Sequence, residues 1–169
     1  MEMLQAYNKQ YGLTGVTLVP VNMYGPRDNF DPKSSHVIPA LILKVQEAID
    51  TDASEITAWG TGEASREFLY VEDCAEGIVL AMEKYNSSEP VNLGTGQELK
   101  IRELVTLIAS LMGYSGEIVF DSSKPDGQPR RCLDITKAKK EFGFAAKTDF
   151  TMGLSKTIEW FKNDIWSRV

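Results

Sequence analysis

The sequence has little of the chemistry on which metal sites and disulfide-rich folds depend. Its 169 residues include one histidine and two cysteines, Cys74 and Cys132, which are too few for a disulfide framework or a structural zinc site. We therefore expect no metal. Both cysteines are interpreted as small, partly buried apolar side chains.

Long apolar runs and an excess of basic charge are also absent. No run approaches the roughly 20 residues of a membrane helix, and no charged leader with an apolar core opens the chain. We therefore expect no membrane partner and a cytoplasmic location. A net charge of −6 disfavours nucleic-acid binding, because an acidic surface repels phosphate backbones. It leaves room for a local basic pocket that binds one phosphorylated small molecule.

Two sequence fingerprints of catalytic or cofactor sites are missing. There is no Gly-x-Ser-x-Gly nucleophile elbow. The turns Gly60–Gly62 and Gly94–Gly96 each follow a predicted strand, but neither matches the three spaced glycines that cradle a dinucleotide pyrophosphate. If this protein handles a dinucleotide, its main pyrophosphate site lies outside these residues.

The apolar pattern alternates between helix and strand periods. Dense β-branched runs predict strands, and stripes at 3.6-residue spacing predict helices, so the fold class is α/β. Polar stretches rich in Pro, Asp, Asn and Gly are expected to be loops, and Ser34 or Ser35 is expected to cap the helix that follows. The predicted strands cover 16–21, 55–59, 68–71, 90–93 and 118–120. The predicted helices begin near 1, 37, 72, 101, 136 and 154, and the loops are 22–32 and 121–131.

The beginning of the sequence is unusual for a natural helix start. Leu4, Tyr7 and Tyr11 have helical spacing, but no capping residue precedes them. This pattern suggests that sequence has been cut away upstream, although a frayed helix would look the same. The predicted strands are also few and short for a self-sufficient sheet, which again suggests part of a larger protein.

Three features are candidates for chemistry on residue type and position alone. His36, at a loop-to-helix junction, is either an acid–base group or a cap or surface residue. Trp59 with Arg66 suits a base or sugar and a phosphate, although a core tryptophan and a solvated arginine would give the same pattern. The third is a basic loop that forms either an anion clamp or a solvated segment, and it contains Lys124, Arg130 and Arg131.

Several segments resemble, in the same order, those of extended short-chain dehydrogenase/reductase enzymes that act on sugar nucleotides. The match runs nearly end to end, and its most discriminating parts resemble the GDP-L-fucose synthase family. The discriminating segments are SHVIPAL (35–41) and SSKPDGQPR (122–130), and the more widely shared ones are VNMYGPRDNF (21–30), WGTG (59–62), REFLYVED (66–73), NLGTG (92–96) and IREL (101–104).

This resemblance implies a fold and a division of the chain. The chain would be the C-terminal, substrate-binding part of a Rossmann-type enzyme, with strands that complete the parent nucleotide-binding sheet. Residues 1–35 would be the tail of the Rossmann domain and residues 36–169 mainly the substrate-binding domain, with 90–113 returning to the sheet. The family's glycine-rich loop, its serine, its cysteine and its Tyr-x-x-x-Lys pair would lie upstream, so this chain alone is expected to be inactive.

The resemblance also implies a reaction. Family members convert GDP-4-keto-6-deoxy-D-mannose to GDP-L-fucose: protons move at C3 and C5, and NADPH then delivers hydride to C4. The implied cofactor is NADP(H), held mostly by the N-terminal half, and relatives are commonly homodimers. The alternatives are a related NAD(P)-dependent nucleotide-sugar epimerase, dehydratase or reductase, and a non-catalytic module that binds a sugar nucleotide.

Residue roles are implied only where positions match the family motifs. His36 matches the acid or base of the epimerisation and also borders the cofactor. Lys44 stands where the family has arginine and loses the planar fork, Arg131 replaces a lysine, and Val21 replaces a threonine. The implied substrate-binding residues are Lys44, Trp59, Arg66, Asp126 and Arg131, and the implied cofactor-binding residues are Pro20, Val21, Asn22, Met23 and His36.

Overall fold

Helices and strands alternate along residues 2–168, which are the residues that this computed structural model describes. The helices are α1 (Glu2–Tyr11), α2 (Val37–Asp50), α3 (Val71–Lys84), α4 (Ile101–Met112), α5 (Thr136–Phe142) and α6 (Phe150–Trp160), and α6 runs on into a π-helical turn (Phe161–Ile165) and a 3₁₀ turn (Trp166–Arg168). The strands are β1 (Leu18–Pro20), β2 (Asn22–Tyr24), β3 (Glu55–Trp59), β4 (Ser65–Tyr70), β5 (Val91–Leu93), β6 (Glu98–Lys100), β7 (Glu117–Asp121) and β8 (Arg130–Arg131).

The chain forms two compact units, each built from three separate segments. The first comprises Met1–Met23, Glu67–Gln97 and Cys132–Thr148, and the second comprises Tyr24–Arg66, Glu98–Arg131 and Asp149–Val169. The predicted division at residue 35, with 90–113 returning to a nucleotide-binding sheet, stays a prediction. Along the described residues no helix is both long enough and apolar enough to cross a bilayer.

The first unit is organised around a parallel strand pair. β1 pairs with β5 from Leu18↔Val91 to Pro20↔Leu93, and parallel strands of this kind are joined by crossover connections that place helices on the sheet faces. α5 contacts both α3 and β5. The buried apolar core of this unit includes Val21, Leu69, Cys74, Val91, Leu93, Phe142 and Phe144. Burial raises the pKa of the Cys74 thiol, which fits its interpretation as an apolar side chain.

The second unit also contains a parallel pair. β3 and β7 are aligned from Glu55↔Glu117 to Trp59↔Asp121. α2 buries one apolar face and contacts both α4 and β3, and α4 also contacts α6. α2 packs on one side only, because its apolar residues recur at 3.6-residue spacing and therefore share one face of the helix. The fully buried side chains of the unit include Ile38, Ile42, Val45, Leu104, Ile108, Leu154 and Phe161.

The short strands were the least predictable elements. The predicted loop 22–32 contains β2, the strand predicted at 68–71 begins earlier, at Ser65, and neither β6 nor β8 was predicted. A further sheet has the strand order β2-β4-β6, with β8 also paired with β4. Segments of two or three residues carry no readable alternation, so their pairing depends on partners distant in sequence.

The predicted cap of α2 was also wrong. The N-cap is His36 rather than Ser34 or Ser35, and its side chain makes no capping hydrogen bond. The Ser34 hydroxyl instead donates to Asp31 Oδ2 at 2.7 Å. Ser and Asp side chains compete for such local turn bonds, and here the loop before the helix uses the serine.

Candidate functional site

Trp59 is the last residue of β3, and its indole is exposed. Inward and outward positions alternate along this strand, so that Ile56 and Ala58 are buried whereas Trp59 is 70% exposed. The alternative interpretation of Trp59 as a core residue is therefore wrong. An exposed aromatic plane at a strand end is available for stacking on a ligand.

Arg66 lies on β4, where it holds the basic loop. Its Nη1 donates to the carbonyl of Ser65 at 2.7 Å and to the carbonyl of Gln128 at 2.6 Å. Both acceptors are neutral carbonyls, and the negative charge close to the guanidinium is that of Asp126, whose pKa the charge of Arg66 helps to lower. The side chain is half-buried, unlike the solvated arginine of the alternative interpretation.

The short strand β8 places Arg131 beside Arg66. The two strands are parallel, with Ser65 opposite Arg130 and Arg66 opposite Arg131. Side chains alternate along strands, so residues in register share a face. On the Ser65 side, Arg130 is paired with Glu98 at 2.9 Å. On the other side, two arginines are adjacent, and Asp126 places one negative charge near Arg66.

Asp126 is bound to the turn between β3 and β4. Its Oδ1 accepts the backbone N–H of Thr61 at 2.7 Å, and its Oδ2 accepts the Thr61 hydroxyl at 2.7 Å. The hydrogen bond from the Thr61 hydroxyl is the main cause that holds the pKa of Asp126 below its usual range, and the bond from the Thr61 N–H adds to it. The predicted basic loop is therefore attached to the turn that joins Trp59 to Arg66.

Lys44 and His36 both lie on or next to α2. Lys44 is half-buried, and its Nζ donates to the Thr57 carbonyl of β3 at 2.6 Å. The imidazole of His36 is exposed at the first turn of the helix, whose N-terminus carries a partial positive charge. Among the described residues, no hydrogen bond joins His36 to Trp59, Arg66 or Asp126. The structure therefore brings Arg66 and Arg131 into strand register and binds Asp126 to Thr61. Trp59 is related to them only by its position two residues before Thr61.

The predicted cofactor segment follows the carboxyl end of β1. Pro20 is exposed, Val21 is buried and donates its N–H to the Leu93 carbonyl at 2.9 Å, and Met23 is largely exposed. The Asn22 side chain donates to the Glu67 carbonyl at 3.3 Å. Open parallel sheets bind ligands beyond the carboxyl ends of their strands, which is where this segment lies.

Glu67 follows Arg66 on β4, and its structural role was not predicted from the sequence. Its side chain is completely buried. Its Oε1 accepts the N–H groups of Thr95 and Gly96 at 2.6 and 2.7 Å, and its Oε2 accepts the N–H of Leu133 at 2.7 Å. An acidic residue directly before the apolar run Phe68–Tyr70 was the available signal, because a buried carboxylate requires several hydrogen-bond donors.

Parallel strands joined by helices, with aromatic and cationic side chains at the strand ends, are the architecture of a Rossmann-type extended dehydrogenase/reductase. The family model described as the NAD dependent epimerase/dehydratase family matches residues 1–94. The chain belongs to that family, which confirms both the resemblance and the α/β class.

Comparison with individual proteins gives closer similarities. The chain is 42% identical over 167 residues to the probable GDP-L-fucose synthase 1 of Oryza sativa subsp. japonica, covering 99% of this chain and 51% of that protein. It is 43% identical over 149 residues to the GDP-L-colitose synthase of Yersinia pseudotuberculosis, covering 88% and 48%.

Structural similarity agrees with the sequence matches. The GDP-L-fucose synthetase of Naegleria fowleri bound to NADP superposes with a TM-score of 0.90 at 28% identity, over 98% of this chain and 54% of that one. The chain thus spans about half the length of the curated relatives that it matches.

Proposed function

We propose that this chain is the substrate-binding portion of an NADP-dependent enzyme that converts GDP-4-keto-6-deoxy-D-mannose to GDP-L-fucose. The support is the 42% identity to a probable GDP-L-fucose synthase over nearly the whole chain, together with the geometry around Arg66. Since the chain spans about half of such relatives, the complete reaction belongs to a protein that also carries an amino-terminal half of their kind.

One observation carries the proposal: Arg66 and Arg131 are in register on parallel strands. Two guanidinium groups on one face form a pair of planar donors that suits the oxygens of a pyrophosphate. A bound diphosphate would also remove the repulsion between them. We therefore assign Arg66 and Arg131 to the diphosphate of a GDP-sugar.

Trp59 supplies the complementary apolar contact. Its exposed indole lies at the end of β3, and Gly60–Gly62 follows directly. A flat ring system such as guanine, or the apolar face of a sugar, buries most area when it stacks on such a plane. Lys44 contributes positive charge from α2, although its ammonium is engaged by the Thr57 carbonyl.

His36 is the acid–base group of the proposal. Moving protons at the carbons beside a ketone requires a group that both accepts and donates a proton near neutral pH, and imidazole is the side chain best suited to that task. The imidazole is exposed at the start of α2, so a substrate can reach it without any rearrangement of the helix.

The residues of the cofactor segment fit one end of NADP(H). Pro20 and Met23 present exposed apolar side chains at a strand end, and these suit the flat nicotinamide ring. When bound, the cofactor supplies the hydride that reduces C4 of the sugar. Val21 and Asn22 hold the segment in place through Leu93 and the Glu67 carbonyl.

The proposed partners are the amino-terminal half and a second copy of the whole protein. α1 contains no buried residue, and the outer face of α3 is largely apolar. Exposed apolar stripes of this kind are typical of surfaces that another domain covers. The proposed location is the cytoplasm, where nucleotide sugars and NADPH are both available.

The test has a binding arm and a catalytic arm. Calorimetric titration of this chain is expected to show that GDP binds at least about tenfold more tightly than UDP, because guanine and uracil differ in hydrogen bonding and in stacking area. Equal affinity, or no binding of GDP, contradicts the proposal.

The catalytic arm uses the whole protein. His36→Ala is expected to lower NADPH oxidation with the 4-keto substrate by about 10²-fold or more, and added imidazole should restore part of the rate. Glu47→Gln, on an exposed position of the same helix, serves as the control. Unchanged turnover in His36→Ala removes the histidine from the reaction.

A second candidate is a related GDP-sugar reductase. The 43% identity to a GDP-L-colitose synthase supports it, and such an enzyme would use the same arginine pair with a different hexose. Competition between several GDP-linked 4-keto sugars separates the two. A non-catalytic binding module, in contrast, predicts GDP binding without NADPH oxidation by the whole protein.

A further inference from the structure

The turn between β3 and β4, Gly60–Ala64, is held on its carbonyl side by the start of α4. The Arg102 backbone N–H donates to the Gly62 carbonyl at 3.0 Å, and Arg102 Nη2 donates to the Thr61 carbonyl at 2.8 Å. The Ile101 N–H donates to Ala64 at 2.9 Å. One side of the turn is thus bound to a helix of the same compact unit.

Asp126 provides the attachment on the opposite, donor side of the turn. Both of its oxygens are used: Oδ1 by the Thr61 N–H and Oδ2 by the Thr61 hydroxyl, each at 2.7 Å and across 65 positions of sequence. Hydrogen bonds to a charged acceptor are the stronger class. The loop that carries Asp126 is bound a second time, through Arg66 and the Gln128 carbonyl.

Gly60 shows that the turn is shaped around this carboxylate. A Cβ at this position would overlap Asp126 Oδ1, and the backbone there has φ of +80°, which favours glycine. Gly62 has φ of +76° and would meet Phe120 and Arg102 with any larger side chain. The close approach of Asp126 is therefore built into the turn.

We propose that Asp126 is a positioning residue: it holds the Gly60–Ala64 turn and thereby sets the orientation of Trp59 and Arg66 toward the ligand. This inference rests on the proposed function, and it changes the role that the motif resemblance implies for Asp126, which was direct substrate contact. Both carboxylate oxygens bind Thr61, so we assign the effect of the aspartate on the ligand to the placement of Trp59 and Arg66, which flank the turn.

The experiment compares Asp126→Ala with Asp126→Asn. Alanine removes both bonds, and we expect about a tenfold faster hydrogen exchange at the Thr61 amide and about a tenfold weaker affinity for GDP. Asparagine keeps an oxygen for the N–H and an amide that can donate to the hydroxyl oxygen. It should therefore retain GDP affinity within about threefold.

The control is a local pair with the same chemistry. Asp134 Oδ1 accepts the N–H and the hydroxyl of Thr136, two positions away, so Asp134→Ala removes equivalent bonds without touching the turn. It should leave both measurements within about twofold, as is usual for surface changes.

Three results would overturn the positioning role. The first is unchanged exchange at Thr61 in Asp126→Ala. The second is a loss of GDP affinity in Asp126→Asn as large as in Asp126→Ala, which would indicate direct contact with the ligand. The third is that the losses of GDP affinity in Asp126→Ala and Thr61→Val add up in the double variant, because substitutions of two residues that act as one unit are non-additive.

Two features keep the test interpretable. Thr61→Val removes only the hydroxyl, so it reports on the contact if Asp126→Ala fails to fold. We expect it to lower GDP affinity by about threefold. An unchanged affinity contradicts the proposal. Hydrogen exchange needs no ligand. If the wild-type chain fails to bind GDP, the proposed function fails, whereas exchange at Thr61 still decides whether Asp126 holds the turn.

Discussion

Glu67 Oε2 accepts a hydrogen bond from the Leu133 backbone N–H at 2.7 Å, across 66 positions of sequence. The other oxygen accepts the N–H groups of Thr95 and Gly96. A single buried carboxylate therefore joins β4, the turn after β5 and the segment before α5 within one compact unit. The carboxylate itself is completely buried, so its charge depends on these backbone donors.

Glu67→Gln is expected to destabilise the fold by about 2–4 kcal/mol, because an amide NH₂ placed against a backbone N–H leaves at least one buried donor unpaired. The midpoint of urea unfolding should fall with an unchanged slope. Glu98→Gln is the control, since Glu98 is exposed and accepts from Ser65 and Arg130. Equal shifts for the two variants would remove Glu67 from this structural role.

Arg66→Lys is expected to weaken GDP binding by about tenfold or more. Lysine keeps the charge but has no planar fork, so it cannot hold the Gln128 carbonyl and also present donors to a diphosphate. Arg130→Lys is the matched control, because Arg130 is on the same strand pair but is paired with Glu98. Calorimetry measures both, and a similar loss in the control would mean that only net charge matters.

Acid is expected to loosen the second unit. The pKa values of two exposed carboxyls are lowered, for Glu63 chiefly by its hydrogen bond with Lys100 and for Glu98 chiefly by its hydrogen bond with Arg130. The unfolded chain binds more protons than the folded chain in this range, so stability is complete above the unfolded pKa of about 4 and declines below it.

Unfolding midpoints recorded from neutral pH down to about pH 3 test this expectation. In Glu98→Gln, residue 98 no longer carries a group that titrates. The unfolding midpoint of this variant should therefore fall less steeply over the acid range than that of the wild type. A parallel decline in both proteins would show that the Arg130 pair does not contribute.

The outer face of α3 is expected to bind hydrophobic dyes in the isolated chain. Val71, Ile78 and Met82 are exposed on one side of the helix, Met82 to 74%, and such stripes are usually covered by another domain. A double variant, Ile78→Gln with Met82→Gln, should lower dye fluorescence by about half.

Met152→Gln provides the comparison for α3. Met152 is an exposed methionine on α6, outside the stripe, and its replacement should leave the fluorescence nearly unchanged. A wild-type chain that is silent to the dye and monodisperse in light scattering would show that the α3 face needs no partner.

The sequence alone predicted the long elements and the family. α2 and α4 have continuous apolar stripes, and β3 has a clear alternation, so their local pattern and their tertiary environment agree. The motif resemblance correctly placed the chain in the NAD dependent epimerase/dehydratase family, and it also assigned the site residues, whose roles stay predictions.

Tertiary structure decided the short strands and the contacts of the site. β6 and β8 form because strands distant in sequence supply their hydrogen bonds, and no local alternation of apolar residues predicts them. Whether Trp59 was buried or exposed could not be read from its position beside a glycine turn. The contacts of Asp126 with Thr61 and of Glu67 with Leu133 span more than sixty residues, and only the folded chain brings such donors and acceptors within bonding distance.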